Sequence, residues 1–301
     1  MIGTLEGLQL RFAKRLASLL RTIGSIGGPA QCALGGIVAV VFVVYMPSTA
    51  FCFTNYDDYT YVAGNPVVRS GLNGDSLRLA FTAQVGYYSP LAWLSFALEC
   101  TIFPFAGPGI FRTTNILLHA LNTCLVYRLL AGLHLTGGQR VVVVALFALH
   151  PVQVESVVWI SERKGLLACL FFLLSAQAYL RHHDLGNSLD AANACVYYQL
   201  SVLSKPSCLL APLLFISLKF FGLLGNVASK GEREDSRFCR LDTCLATAML
   251  VSCIFHVMLQ EGTLDSWSAS QLSLARCFGS YCAYLAKIIY PTDLLIPYPP
   301  Y

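Results

Sequence analysis

Apolar residues in this chain gather into runs of about 20, the length a helix needs to cross a bilayer core of about 30 Å. The first run is Cys32 to Phe51. Others follow at about 110–131, 140–159, 164–181, 190–204, 207–224 and 241–259. Leu274 to Tyr290 is apolar but carries Arg276 and Lys287, and reads as an eighth span or an interfacial helix. His150-Pro151 interrupts the third run, because proline disrupts a helix and frees backbone groups. The fifth run is short and ends at Lys205-Pro206. Residues 53–107 form a large polar segment between the first two spans, with turn signals at Gly64-Asn65-Pro66, Gly71 and Asn73-Gly74. Within it a short helix is predicted over Asp75 to Thr82. Pro90 to Phe103, with Trp93, is predicted to lie flat at the membrane interface. The pattern predicts an all-α, polytopic membrane protein.

Composition agrees. Of 301 residues, 56% are hydrophobic and 12% charged, about half the charge of a soluble domain. The net charge of +4 is spread out and gives no ground for a nucleic-acid partner. Most of the 12 cysteines lie in the apolar runs, as small hydrophobes. No CxxC pair has zinc-like partners, so no metal site and no disulfide framework are expected. Phosphate-loop glycines, an HExxH zinc motif and a voltage-sensor arginine ladder are all missing from the sequence.

The basic residues report topology. Residues 1–31, with Arg11, Lys14, Arg15 and Arg21, read as a cytosolic amphipathic N-terminus ahead of a membrane domain at 32–301. With that end cytosolic, twelve of the 20 Lys and Arg fall on the cytosolic side, the expected bias. The other eight sit close to acidic residues, as a site for an anionic ligand would have them. Asp57-Asp58, His150 to Lys164, Lys205 and the C-terminal segment then share the non-cytosolic face.

Several constellations carry chemistry, each beside a plainer reading. Asp57 and Asp58 supply a general base and its neighbour, or a solvated pair in a turn. His150 and Glu155, at the proline break, position a substrate or form a packing network at a helix end. Glu162, a further candidate for positioning a substrate, precedes Arg163 and Lys164, two cations suited to a lipid phosphate diester or to snorkelling toward headgroups. Lys205 is read the same two ways. Arg112, Asn115, His119 and Asn122 recur on one helix face, as interhelical hydrogen-bonding residues do. Tyr281, Tyr284, Lys287 and Tyr290 read as an interfacial belt.

Taken in order, several strings resemble the membrane portion of the transmembrane and tetratricopeptide-repeat (TMTC-like) protein O-mannosyltransferases. They are Asn55-Tyr-Asp-Asp-Tyr59, Gly64-Asn-Pro66, Pro90-Leu-Ala-Trp-Leu-Ser95, Thr114 to Asn122, Ala145 to Ser156, Trp159-Ile-Ser-Glu-Arg-Lys164 and Leu203-Ser-Lys-Pro206. Tyr284-Leu-Ala-Lys287, Pro291-Thr-Asp-Leu294 and Tyr298-Pro299 follow. The Trp159–Lys164 string is closer to the bacterial-type members. The resemblance implies a GT-C helical bundle with its active site at the non-cytosolic face, and no cofactor. It implies sugar transfer, mannose in the eukaryotic case, from a dolichyl- or polyprenyl-phosphate donor to Ser or Thr hydroxyls of a protein. Asp57 or Asp58 would be the base, and Arg163, Lys164 and Lys205 would steady the leaving phosphate. The membrane would be that of the endoplasmic reticulum in a eukaryote and the inner membrane in a bacterium. The family continues with further spans and tetratricopeptide repeats that this sequence does not contain, so an incomplete catalytic unit is expected. Two other classes use the same residues: a transporter or flippase for a lipid-linked or anionic solute, and a non-catalytic membrane scaffold.

Overall fold

The computed structural model describes residues 28–54, 56–82, 88–133, 135–220, 274–292 and 294, with parts of 243–255. The expected amphipathic N-terminus, the charged stretch Ser229 to Arg240 and Tyr298-Pro299 lie outside these residues, and the seventh span is described only in part.

Every regular element among the described residues is helical. α1 is Pro29–Tyr45, continued by a 3-10 turn, Met46–Ala50. A π-type turn, Tyr59–Ala63, leads to α2 (Pro66–Arg69), α3 (Gly74–Thr82) and α4 (Pro90–Ile102). α5 is Pro108–Gly132 and α6 is Gly137–Leu149. α7 (Gln153–Val158) and a 3-10 turn (Ile160–Glu162) precede α8 (Arg163–Leu185). α9 (Ser188–Ser204), a turn at Pro206–Cys208, α10 (Ala211–Phe220) and α11 (Leu274–Ile289) complete the order.

Local chemistry sets these boundaries. Thr136 and Gln139 start α6 as a capping box: each side chain accepts the other's backbone N–H, at 3.0 and 3.4 Å. Asn65 caps α2 through Val67 N–H at 3.1 Å, and Asn187 caps α9 through Leu189 N–H at 3.1 Å. α8 stops at Gly186, whose φ of 62° is the left-handed conformation a glycine adopts freely. That two-residue joint folds α9 back against α8, the most extensive helix pair of the fold. The break at His150 follows from Pro151, which pushes the preceding residue into extended backbone (ψ 133°). The expected third span is thus two elements, α6 and the short α7.

α5 and α8 are the axis. One apolar cluster joins α4, α5 and the 59–68 segment through Tyr61, Val68, Phe96, Phe111 and Ile160. A second joins α8, α9 and α10 through Tyr179, Tyr198 and Phe215. A third joins α1, α5 and α6 through Val41, Ile116 and Ala148. α4 leaves Leu98 and Ile102 exposed on one side and buries the other. Ala92, Phe96, Ala97, Glu99 and Cys100 are all buried, because Glu99 has a cation to meet inside the bundle.

Among the described residues two helices are long and apolar enough to cross a membrane, Pro29–Ala50 and Ile160–His183. Shorter apolar helices occupy Pro90–Ile102, Gly137–Leu149 and Pro206–Leu218.

Candidate active site

Broken helices expose carbonyls, and this fold answers them from one face of α5. Helix ends leave C=O groups without intrahelical partners, and an unmet one costs several kcal/mol (about 2–7) away from water. Arg112 Nε donates to Val158 O at 3.0 Å, and its Nη2 to Cys52 O at 2.6 Å. Its Nη1 also donates to Phe51 O. Asn115 Nδ2 reaches Trp159 O at 3.2 Å, with Val157 O and Ile160 O slightly farther. His119 Nε2 donates to Ala148 O at 2.9 Å, and Asn122 Nδ2 to Leu166 O at 3.0 Å. The polar stripe expected on this helix therefore fixes the ends of α6, α7 and α8 and the strand of chain after α1.

That clamping brings the 51–58 segment onto the turn before α8. Asp58 is fully buried. Its Oδ1 accepts Ser161 N–H at 3.0 Å and Ser161 Oγ–H at 2.7 Å, and its Oδ2 accepts Thr54 N–H at 3.1 Å. Asp57, one residue earlier, is half-buried and takes no such bond among the described residues. Partial burial pushes its carboxyl pKa above the ordinary value. Lys164 pulls it back down, while the Asp58 and Glu162 carboxylates push it up.

Glu162 organises the cations. Its Oε2 meets Lys205 Nζ at 2.8 Å, and its Oε1 meets Lys164 Nζ at 3.3 Å. Lys164 is buried, its ammonium 5.2 Å from the Tyr61 ring centre and 5.9 Å from that of Trp159. Lys205 is the more open of the two, with 35% of its side chain exposed. Glu155 belongs to the same neighbourhood, within the field of Glu162, Lys205 and Lys164. Four carboxylates, Asp57, Asp58, Glu155 and Glu162, and two ammonium groups thus converge from three distant segments of chain. Tyr56 packs on Trp159 beside them, ring centres 6.0 Å apart. A cavity of about 220 Å³ between α2, α3 and α4 is lined by Val68, Leu79 and Trp93 and by none of these charges.

Two expected site residues are elsewhere. Arg163 is fully buried. Its Nη1 pairs with Glu99 Oε2 at 2.5 Å, its Nε donates to Asn115 Oδ1 at 2.9 Å, and its Nη2 donates to Phe111 O at 2.7 Å. The guanidinium also lies 4.4 Å from the Phe96 ring centre. Its donors are directed into the bundle. His150 has both ring nitrogens on backbone: Nδ1 accepts Val152 N–H at 3.2 Å, so Nε2 donates to Ile288 O at 2.8 Å. It ties α11 to the α6–α7 break and does not join the charged cluster.

Sequence reasoning passed over Glu99, Ser161 and Trp159. Glu99 carried a signal, a single acid inside an apolar helix. Ser161 and Trp159 were visible only as letters of a shared string. Among the described residues no group of three or more His, Cys, Asp or Glu could hold a metal ion.

Comparison with known proteins gives one consistent answer. No protein-family model matches the chain, and no solved structure matches it. It is similar to protein O-mannosyl-transferase Tmtc2 of Drosophila melanogaster, 24% identical over 261 residues, covering 84% of this chain and 28% of that protein. It is 35% identical to mouse protein O-mannosyl-transferase TMTC1 over 144 residues, 44% of this chain and 15% of the relative. Against human TMTC4 the figures are 31% over 138 residues, 42% and 19%. The chain resembles this family over most of its length, and it spans 28% or less of the relatives it matches. The relatives named are animal proteins, whereas the Trp159–Lys164 string had pointed toward bacterial-type members.

Proposed function

We propose that this chain is the membrane part of a protein O-mannosyltransferase of the kind its relatives are named for. It moves mannose from a polyprenyl- or dolichyl-phosphate donor to Ser or Thr hydroxyls of a protein. In this reading the chain is a multi-pass GT-C bundle, in a eukaryotic cell that of the endoplasmic reticulum membrane. An inside-out distribution supports this. Val43, Leu146, Val196 and Leu213 turn outward, while Arg112, Asn115, His119, Asn122 and Gln177 are buried. That is the arrangement of helices solvated by lipid around a polar interior.

The observation that carries the enzymatic reading is the unequal pair Asp57 and Asp58. Asp58 spends its carboxylate on Ser161 and Thr54 and so holds the loop. Among the described residues Asp57 accepts no hydrogen bond, and its pKa is raised, as a general base needs. Asp57 accepts the proton of the attacking hydroxyl. The hydroxyl oxygen bonds to the anomeric carbon as its bond to the lipid phosphate breaks, and that phosphate leaves with the electron pair. Lys205, backed by Lys164, faces the negative charge growing there. Glu162 holds both ammonium groups in place. Arg163 and His150 act on the scaffold. The site needs no cofactor of its own, since the donor brings the activated sugar.

The test uses the full-length protein in membranes, with labelled polyprenyl-phosphate mannose and a Ser/Thr peptide. Asp57→Asn keeps the shape and removes the base. Transfer is expected to fall by about 10² or more with donor binding intact. Unchanged transfer rules Asp57 out as the base. If donor binding is lost as well, the residue is a ligand or a structural element.

A further inference from the structure

The three short helices between α1 and α5 do not close on one another. The 220 Å³ cavity they enclose is walled by Val67, Val68, Leu79, Ala80, Trp93 and Ala97. Protein interiors leave few voids larger than a water molecule, and the walls of one forfeit their packing contacts. Ala80 on α3 and Ala97 on α4 are both buried and contribute only methyl groups to the wall. Leu79 is 36% exposed, so the space reaches the surface at that residue. Asn65 and Ser76 also line it, but their oxygens are committed. Asn65 Oδ1 accepts the N–H groups of Val67 and Val68 at 3.1 and 3.3 Å. Ser76 Oγ donates to Asn73 O at 2.9 Å and accepts Asn73 N–H at 2.8 Å. The space therefore suits an apolar occupant.

Size and place say which one. An apolar cavity of about 150 Å³ holds benzene, whereas sites for whole small molecules begin at about 300 Å³. There is room here for one large side chain. Trp93, on the cavity wall, packs on Tyr61 with ring centres 5.3 Å apart, and the Lys164 ammonium lies 5.2 Å from the same Tyr61 ring centre. Lys164 in turn acts directly on Asp57. Wall and ammonium are thus on the order of 10 Å apart, about three residues of extended peptide. α3 carries exposed Asp75 and Arg78 beside exposed Leu77 and Phe81, the mixture of a helix at a membrane surface rather than inside hydrocarbon. A protein acceptor reaches that surface from water, while a lipid tail would have to leave the hydrocarbon to enter.

We propose that this pocket selects the acceptor: it takes one apolar side chain of the protein substrate, about two to four residues from the Ser or Thr that receives the sugar. The proposal rests on the transferase reading above and adds to it what distinguishes one hydroxyl from another. The pocket forms no covalent bond and moves no proton, so it acts on kcat/KM for the acceptor and not on the donor.

The test follows transfer by the full-length protein in membranes, from labelled polyprenyl-phosphate mannose to a set of Thr peptides. In each peptide a single Leu replaces Ala at one position on either side of the Thr. For wild type, Leu at one position is expected to raise kcat/KM about tenfold, the worth of burying such a side chain. That position should lie about two to four residues from the Thr. Ala97→Leu fills the pocket from its wall and should level the Leu preference to within about twofold, with donor binding as in wild type. A wild type that treats every peptide alike overturns the assignment, as does a Leu preference that survives Ala97→Leu. Loss of donor binding in Ala97→Leu would give the pocket to the lipid and overturn it too. If Ala97→Leu does not fold, Leu79→Ala at the exposed edge widens the pocket instead. It should move the preference from Leu toward Phe, and an unmoved preference contradicts the proposal. Failure of the transferase reading shows separately, as wild-type protein that transfers mannose to none of the peptides; the pocket assignment then falls with it.

Discussion

Asp58 and Ser161 are joined twice through a single oxygen: the Ser161 N–H reaches Asp58 Oδ1 at 3.0 Å and the Ser161 hydroxyl reaches it at 2.7 Å. The contact spans 103 residues of sequence and sets the 51–58 loop on the turn before α8. Removing either partner leaves buried groups unmatched. Asp58→Ala is expected to cost about 1–3 kcal/mol and Ser161→Ala about 1 kcal/mol. In a thermal or denaturant series the double variant should cost less than the sum, since the two share one interaction. Simple additivity would show that they do not.

The Arg163–Glu99 pair is a different kind of contact, enclosed by Phe96 and Phe111. Losing one buried partner strands the other's charge, so Arg163→Met should destabilise the fold by about 3–5 kcal/mol. The double variant Arg163→Met/Glu99→Met is expected to recover much of that and to retain sugar transfer. A folded double variant that no longer binds donor would return Arg163 to the phosphate site.

For Asp57 the sign follows from its raised pKa. A base must be ionised, so transfer is expected to rise with pH through an apparent pKa above that of an ordinary carboxylate. The Lys164 ammonium lowers this pKa, so Lys164→Met should move the acidic limb to higher pH. For stability, the folded chain holds the Asp57 proton more tightly than the unfolded chain. Asp57 alone thus lowers stability as pH rises from the unfolded to the folded pKa, and the penalty is full above the latter. A pH–rate profile of wild type and Lys164→Met reads the first effect. An acidic limb that stays fixed in Lys164→Met would separate the lysine from the base.

Lys205 is more exposed than its partner Glu162, 35% of the side chain against 12%, so the lysine can leave the carboxylate for an arriving anion. Lys205→Met is expected to raise the donor KM about tenfold with a smaller change in kcat, since it removes one charge-assisted contact. The salt dependence of donor binding should weaken in parallel. An unaltered KM would leave Lys205 as a partner of Glu162 and nothing more.

Helices were legible in the sequence because lipid-length apolar runs and their breakers are local. α5, α8 and α9 fall within a few residues of the runs at 110–131, 164–181 and 190–204. The hydrogen-bonding role of Arg112, Asn115, His119 and Asn122 was legible for the same reason, as periodicity on one helix. Pairing was not. Arg163 and Lys164 are neighbours in sequence with the same charge, yet one points into the Glu99 pocket and the other toward Asp57. Adjacent helical residues diverge by about 100° around the axis, and which face is inward depends on α4 and α5. Likewise nothing local distinguishes Asp57 from Asp58. The difference is made by Ser161, supplied from 103 residues away in the sequence.

The most direct test of the account is chemical rescue at Asp57. In full-length protein, Asp57→Ala should lose transfer of mannose from polyprenyl-phosphate mannose to a Ser/Thr peptide while still binding the donor. Added formate, small enough to enter the vacated space, should restore part of the rate in proportion to its concentration. An alanine variant that transfers mannose at the wild-type rate without formate would contradict the assignment of Asp57 as the base.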